Sequence, residues 1–294
     1  MTEPHTALTC AQRVAQELDL SRKKGELRKI EIPPCPALLV QMQVAMAQAE
    51  PDLTDVARIA GSDVAMSATL LRNANSPLHA VGQPVTAVGQ AMNRLGLNET
   101  AALITGFLLR NAVPVDHPQL RRFWERSALR AAAMHFIARR LPGLSPDLAH
   151  VYGLFCHVGM PVLLQSVKGY AGTMVEAHAR IDRSFIATEN ANHRTDHAVV
   201  GALVARTWRL APTVVAALRM HHDLASIGEA GTEPEVHTLV AAGLLAEHLM
   251  RRREGLAVES DWTQHSARAL EWLQLSQDDL DDWAEPLQAE LDAV

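Results

Sequence analysis

The side chains best suited to chemistry in this chain are imidazoles: His157, His197 and the adjacent pair His221-His222, each set in or beside an apolar, helix-patterned stretch. Neutral imidazoles bind borderline divalent metals, so three of them in one pocket would suffice for zinc without a carboxylate. His157 closes the run Gly153-Leu154-Phe155-Cys156-His157-Val158-Gly159. The residue after it, Val158, has no lone pair for a cation and no base for a water. Neighbours on a regular helix point about 100° apart, which predicts that His221 and His222 do not both face one pocket. The expectation for these rings is therefore that they are neutral, buried and hydrogen-bonded to backbone or to one another. Ser127 and His157 have the types of a nucleophile and its base, but a serine on a small-residue helix face reads as packing. Cys156 beside His157 reads as an inert buried thiol, since its side chain diverges from the imidazole on a helix. Others of the 14 histidines, such as His5, His117 and His193, fall at scattered positions expected to be exposed.

The elements that must position these rings are helices. Of 294 residues, 48% are apolar, drawn mostly from Ala, Leu and Val with few aromatics, and such a composition packs as helices rather than strands. An all-α fold is predicted. Residues 1–29 read as an N-terminal helical extension with Ala7, Val14, Leu18 and Leu20 on one side, ended by the charged cluster Ser21 to Lys29, after which the turn Pro33-Pro34-Cys35-Pro36 breaks the chain. Periodicity and capping then predict helices over 36–48, 54–60, 64–74, 86–96, 98–110 and 118–141, with Thr54, Ser62 or Asp63, Thr86 and Asn98 at their starts. Ser145-Pro146 opens the helix that leads to His157, Thr195 or Asp196 caps the one that carries His197, and Pro212 opens the one that ends at His221-His222. A long helix spans 235–253, and two amphipathic acidic helices in 254–294 form a C-terminal extension. The body, 30–253, divides into lobes 30–113 and 118–253.

Net charge is −6 without basic clusters, which disfavours nucleic acid as a partner. Cys10, Cys35 and Cys156 are odd in number and widely spaced, as in a reducing cytoplasm. No apolar run is expected to reach the length of a membrane span.

An ordered set of segments resembles the HDOD domain, a helical relative of the HD phosphohydrolases found in bacterial signalling proteins. It comprises Pro33-Pro34-x-Pro36, Ser62-Asp63 ahead of Leu70-Leu71-Arg72-x-Ala74-Asn75-Ser76, Pro84-Val85, Leu95-Gly96, Phe123-Trp124-x-x-Ser127, Gly153-Leu154-x-x-His157-x-Gly159, Glu189, Asp196-His197-x-x-x-Gly201, Trp208, Pro212 and His221-His222. The resemblance implies that three metal-ligand positions of the enzymes are lost: the first histidine at Ser127, the aspartate of the His-Asp pair at Val158, and a late aspartate at Gly243. His157, His197, His221 and His222 remain as vestigial candidates. The implied function is a non-enzymatic regulatory module that binds a protein partner or small ligand in a bacterial signalling pathway, with a divergent phosphohydrolase as the alternative. No cofactor is expected beyond a residual divalent metal.

Overall fold

The computed structural model describes residues 8–292 except 24, 49, 52, 78, 80, 81 and 181, so the expectations for His5 and Ala7 lie outside the described residues. All regular elements among these residues are helices. The first is α1 (Cys10–Lys23), followed by a 3-10 turn at Gly25–Lys29. Beyond the prolines come α2 (Ala37–Met46), α3 (Leu53–Ala60), α4 (Val64–Ala74), α5 (Val88–Leu95), α6 (Leu97–Ala112), α7 (Phe123–Ala138) and α8 (Pro146–Phe155). The chain continues through α9 (Gly159–Ser166), α10 (Tyr170–Ala179), α11 (Phe185–His193), α12 (His197–Thr207) and α13 (Pro212–Met220). It ends with α14 (Pro234–Arg253), α15 (Ser260–Leu273) and α16 (Gln277–Asp292).

Local chemistry accounts for many of these boundaries. The Asp63 carboxylate accepts the Met66 N–H at 2.9 Å to cap α4, and Asp196 accepts the Val199 N–H at 2.9 Å to cap α12. Pro212 opens α13, where its missing N–H costs nothing. Thr54 and Asn98 do not cap. α3 already begins at Leu53, and Gly96, at φ +82°, both ends α5 and starts α6. The expected helix over 118–141 is shorter, because 118–120 is a separate 3-10 turn.

The chain forms two compact units, and they do not coincide with the expected lobes. One comprises the described parts of Met1–Ile32, Phe155–His248 and Ala257–Gln277; the other comprises Pro33–Leu154, Leu249–Leu256 and the described part of Asp278–Val294. Residues 118–154 thus group with the first-half helices. The two terminal extensions are not appendages either: α1 joins the unit that holds the histidines and packs on α13, and α15 belongs to that unit as well.

In the histidine-bearing unit α12 is the centre, packed against α9 and α13. Its residues from His197 to Ala205 are buried, and Trp208 just beyond them meets Phe155 edge-on at 5.7 Å between centroids. In the other unit α4 packs on α5 and α6, and Asn75 ties the loop to its helix by exchanging two 2.9 Å hydrogen bonds with the backbone of Val85. Contrary to expectation, the stretch 146–166 is long and apolar enough to cross a membrane by length and composition, with a mean hydropathy of 1.3. It is broken by a turn at 156–158 and 61% of it is buried, which is how a core helix pair also reads.

Candidate functional site

The site is built around the first residue of α12. Asp196 fixes where that helix starts, and its first turn points the His197 ring into the unit, where it is wholly buried. On one side its Nδ1 lies 2.7 Å from Oε2 of Glu189, a carboxylate on α11 that is itself wholly buried. The other Glu189 oxygen accepts a short hydrogen bond from the Tyr170 hydroxyl on α10. Burial, reinforced by the Glu189 charge, pushes the Tyr170 phenol well above its ordinary value, so it stays a neutral donor.

On the other side of the ring, Nε2 of His197 lies 3.2 Å from Nε2 of His221 and 3.2 Å from Nε2 of His222. This overturns the expectation that the adjacent pair cannot share a pocket. α13 ends at Met220, and both residues occupy the turn beyond it, free of the 100° constraint of a regular helix. His157 completes the cluster, its ring parallel to that of His197 at 5.3 Å and edge-on to that of His221 at 5.1 Å. It is half-buried rather than buried. It lies in the 156–158 turn between α8 and α9, which also lets Cys156 turn the same way: the Cys156 sulfur and ring nitrogens of His157 and His221 lie within 4.8 Å of one another.

The outer partners decide which nitrogen carries each proton. The Leu218 carbonyl, 2.7 Å from Nδ1 of His221, can only accept, so that Nδ1 is the protonated atom. Glu189 does the same for His197. Oδ2 of Asp261, on α15, sits 3.6 Å from Nδ1 of His222 and favours the proton there. Burial lowers the His222 pKa below the ordinary histidine value, with Asp261 pulling the other way, and the His222 contact lowers the Asp261 carboxyl in turn. In the neutral rings the Nε2 lone pair of His197 therefore meets those of His221 and His222. Imidazoles that ligate metals are held in this way, each passing its second N–H to a carboxylate or carbonyl.

The positions at which the resemblance implied lost ligands are filled as follows. Val158 is fully buried and packs toward Gly201 on α12. Gly243 is half-buried on α14 and has no ligand atom. Ser127 is buried on α7, within the other unit. The donor set does not fit a dinuclear centre, which needs a bridging carboxylate, because Glu189 and Asp261 each face an Nδ1 instead of the Nε2 centre. It does fit a single ion held by imidazoles.

The sequence reading missed Tyr170 and Asp261 and gave Glu189 no role. A buried acid eight residues before a capped histidine was a readable signal for Glu189. Asp261 lies 39 positions beyond His222, and no local pattern announces it.

Comparison with known proteins agrees with the fold. The HDOD domain profile matches residues 32–224. Among solved structures, a candidate signal-transduction protein from Marinobacter aquaeolei VT8 superposes with a TM-score of 0.72 at 19% identity, over 96% of this chain and 64% of that one. A candidate phosphohydrolase from Shewanella amazonensis SB2B gives 0.68 at 20% identity, over 96% and 97% of the two chains. An HDOD domain protein of unknown function from Geobacter sulfurreducens gives 0.67 at 21% identity, over 95% and 98%. An uncharacterized protein of Treponema pallidum (strain Nichols) is 22% identical over 224 residues, which are 74% of this chain and 43% of that protein. The chain thus spans under half the length of this relative.

Proposed function

The chain belongs to the HDOD domain family, and from that premise we propose that it is a non-enzymatic regulatory module of bacterial signalling, which binds a protein partner or a small regulatory ligand through a degenerate HD scaffold. The observation that carries this reading is Val158. At the position where the enzymes' His-Asp pair would supply its carboxylate, the chain has a fully buried alkyl group. Hydrolysis of a phosphodiester on a dinuclear centre needs a carboxylate to bridge the metals and a bound water lowered in pKa. The carboxylates nearest the imidazoles are already spent on Nδ1 protons. The reading includes a cytoplasmic location, supported by three cysteines that form no disulfide. It is also in keeping with the signal-transduction assignment of the Marinobacter protein.

The second reading, a divergent metal-dependent phosphohydrolase, is favoured by the convergence of three imidazole nitrogens and by the phosphohydrolase assignment of the Shewanella protein. One assay separates the two. The purified chain, supplied in turn with manganese, iron and zinc, is expected to release no product above buffer from cyclic dinucleotides, nucleoside phosphates or a generic phosphodiester. Turnover that disappears in the folded His222→Gln variant would replace the regulatory reading with the enzymatic one.

A further inference from the structure

We propose that His197, His221 and His222 bind a single zinc-class divalent ion through their Nε2 atoms. Nε2 of His197 lies 3.2 Å from Nε2 of both His221 and His222; a cation relieves the repulsion of lone pairs at that distance, whereas one proton bridges only two nitrogens at a time. The three ligand atoms lie within 4.8 Å of one another. Charge points the same way. Glu189 is wholly buried, and its carboxylate is held by the Tyr170 hydroxyl and by the N–H groups of His197, none of which is a fixed cation. With Asp261 behind His222 the outer partners contribute two negative charges, which a divalent ion among the rings would balance.

The donor chemistry selects the metal. Nitrogen ligands suit zinc and its borderline neighbours, whereas magnesium and calcium require oxygen. Three protein ligands leave a fourth position on a tetrahedral ion open to an exchangeable ligand. The overlapping group of Cys156, His157 and His221 shares one ring with this site. The His197 triad is preferred because Glu189 and Leu218 fix the proton on Nδ1 of His197 and His221, and Asp261 favours it on Nδ1 of His222.

The ligands come from α12 and from the turn after α13, and Asp261 comes from α15, so the ion would lock three elements of one unit together. Such an ion would stabilise the folded chain in proportion to its concentration above the dissociation constant. It would also give a regulatory module a metal-dependent conformational state.

The test uses the full chain, stripped with a chelator and titrated with zinc and with magnesium against a competing chromophoric chelator. His197 is too buried for a clean substitution, so the variants are His222→Gln, Asp261→Asn and, as a control in the other unit, His117→Gln. One zinc per chain and no magnesium are expected, with a rise in melting temperature on zinc addition. Affinity should fall by about 100-fold or more in His222→Gln and by about 10- to 100-fold in Asp261→Asn, and should hold in His117→Gln. Absence of tight zinc, equal affinity in parent and His222→Gln, or an equal loss in His117→Gln would overturn the site. The outcome is separable from the function proposed above. Zinc bound without turnover leaves both standing, turnover by the zinc-loaded chain removes only the regulatory reading, and no zinc removes only the site.

Discussion

At the scale of single residues, the chemistry of this chain depends on which nitrogen of each ring carries a proton, and one histidine outside the cluster makes that dependence measurable. Burial, with a smaller contribution from neighbouring His135, lowers the His150 pKa from 6.5 to about 4. The folded chain thus releases that proton more readily than the unfolded one, so between pH 6.5 and pH 4 the unfolded state binds more protons. This group's contribution to stability is full above pH 6.5 and is lost as pH falls toward 4. Urea melts at neutral and mildly acidic pH should show a larger loss for the parent than for His150→Gln. Equal losses in the two proteins would contradict the assignment. His157, by contrast, was expected to be a buried ring at the end of an apolar helix, satisfied by a nearby backbone or side-chain group. It is half-buried in a turn and stacked on His197, so its environment is set by the other histidines.

At the scale of elements, the glycines of the two histidine motifs explain how α9 and α12 come close enough to put His157 over His197. A Cβ added at Gly159 would lie 2.0 Å from the His197 carbonyl oxygen and 2.8 Å from the Gly201 nitrogen, all backbone atoms that cannot move aside. A Cβ at Gly201 would meet nothing nearer than 3.5 Å. Gly159→Ala should therefore cost about 3 kcal/mol or more, or yield no soluble protein. Gly201→Ala should stay within about 1 kcal/mol of the parent, because alanine's helix propensity offsets any crowding. Denaturant melts of both decide it, and similar costs would refute the close crossing. This crossing also marks how far the sequence could be read. Caps at Asp63 and Asp196, the proline at 212 and the amphipathic runs are local signals, and they gave correct helices. The helices α9, α10 and α11 went unassigned: α11 buries only Thr188 and Glu189 and so offers no apolar stripe, whereas the Tyr170, Thr173, Met174 and Ala177 face of α10 was a legible stripe that the reading passed over. The four histidines were legible as candidates. Their convergence was not, because it depends on α13 ending one residue before His221 and on α15 delivering Asp261.

At the scale of the whole molecule, neither compact unit is a contiguous stretch of chain. The unit beginning at Pro33 runs to Leu154 and is completed by Leu249–Leu256 and by the described part of the last helix, where α7 meets α16 through Phe136 and Trp283, 6.3 Å apart edge-on. The expected lobe 30–113 lacks α7 and α8 and should not fold alone. Residues 30–113 expressed by themselves should show no cooperative thermal transition by circular dichroism, and a sharp one would restore the linear division. The central claim is that the other unit gathers three imidazoles at one point, with their outer nitrogens already committed. X-ray absorption at the zinc edge of the zinc-loaded full chain tests this most directly. The account predicts light-atom scatterers at about 2.0–2.1 Å with the multiple-scattering pattern of three imidazoles. A sulfur shell at about 2.3 Å, which would place Cys156 on the metal, or a shell of oxygen alone would contradict it.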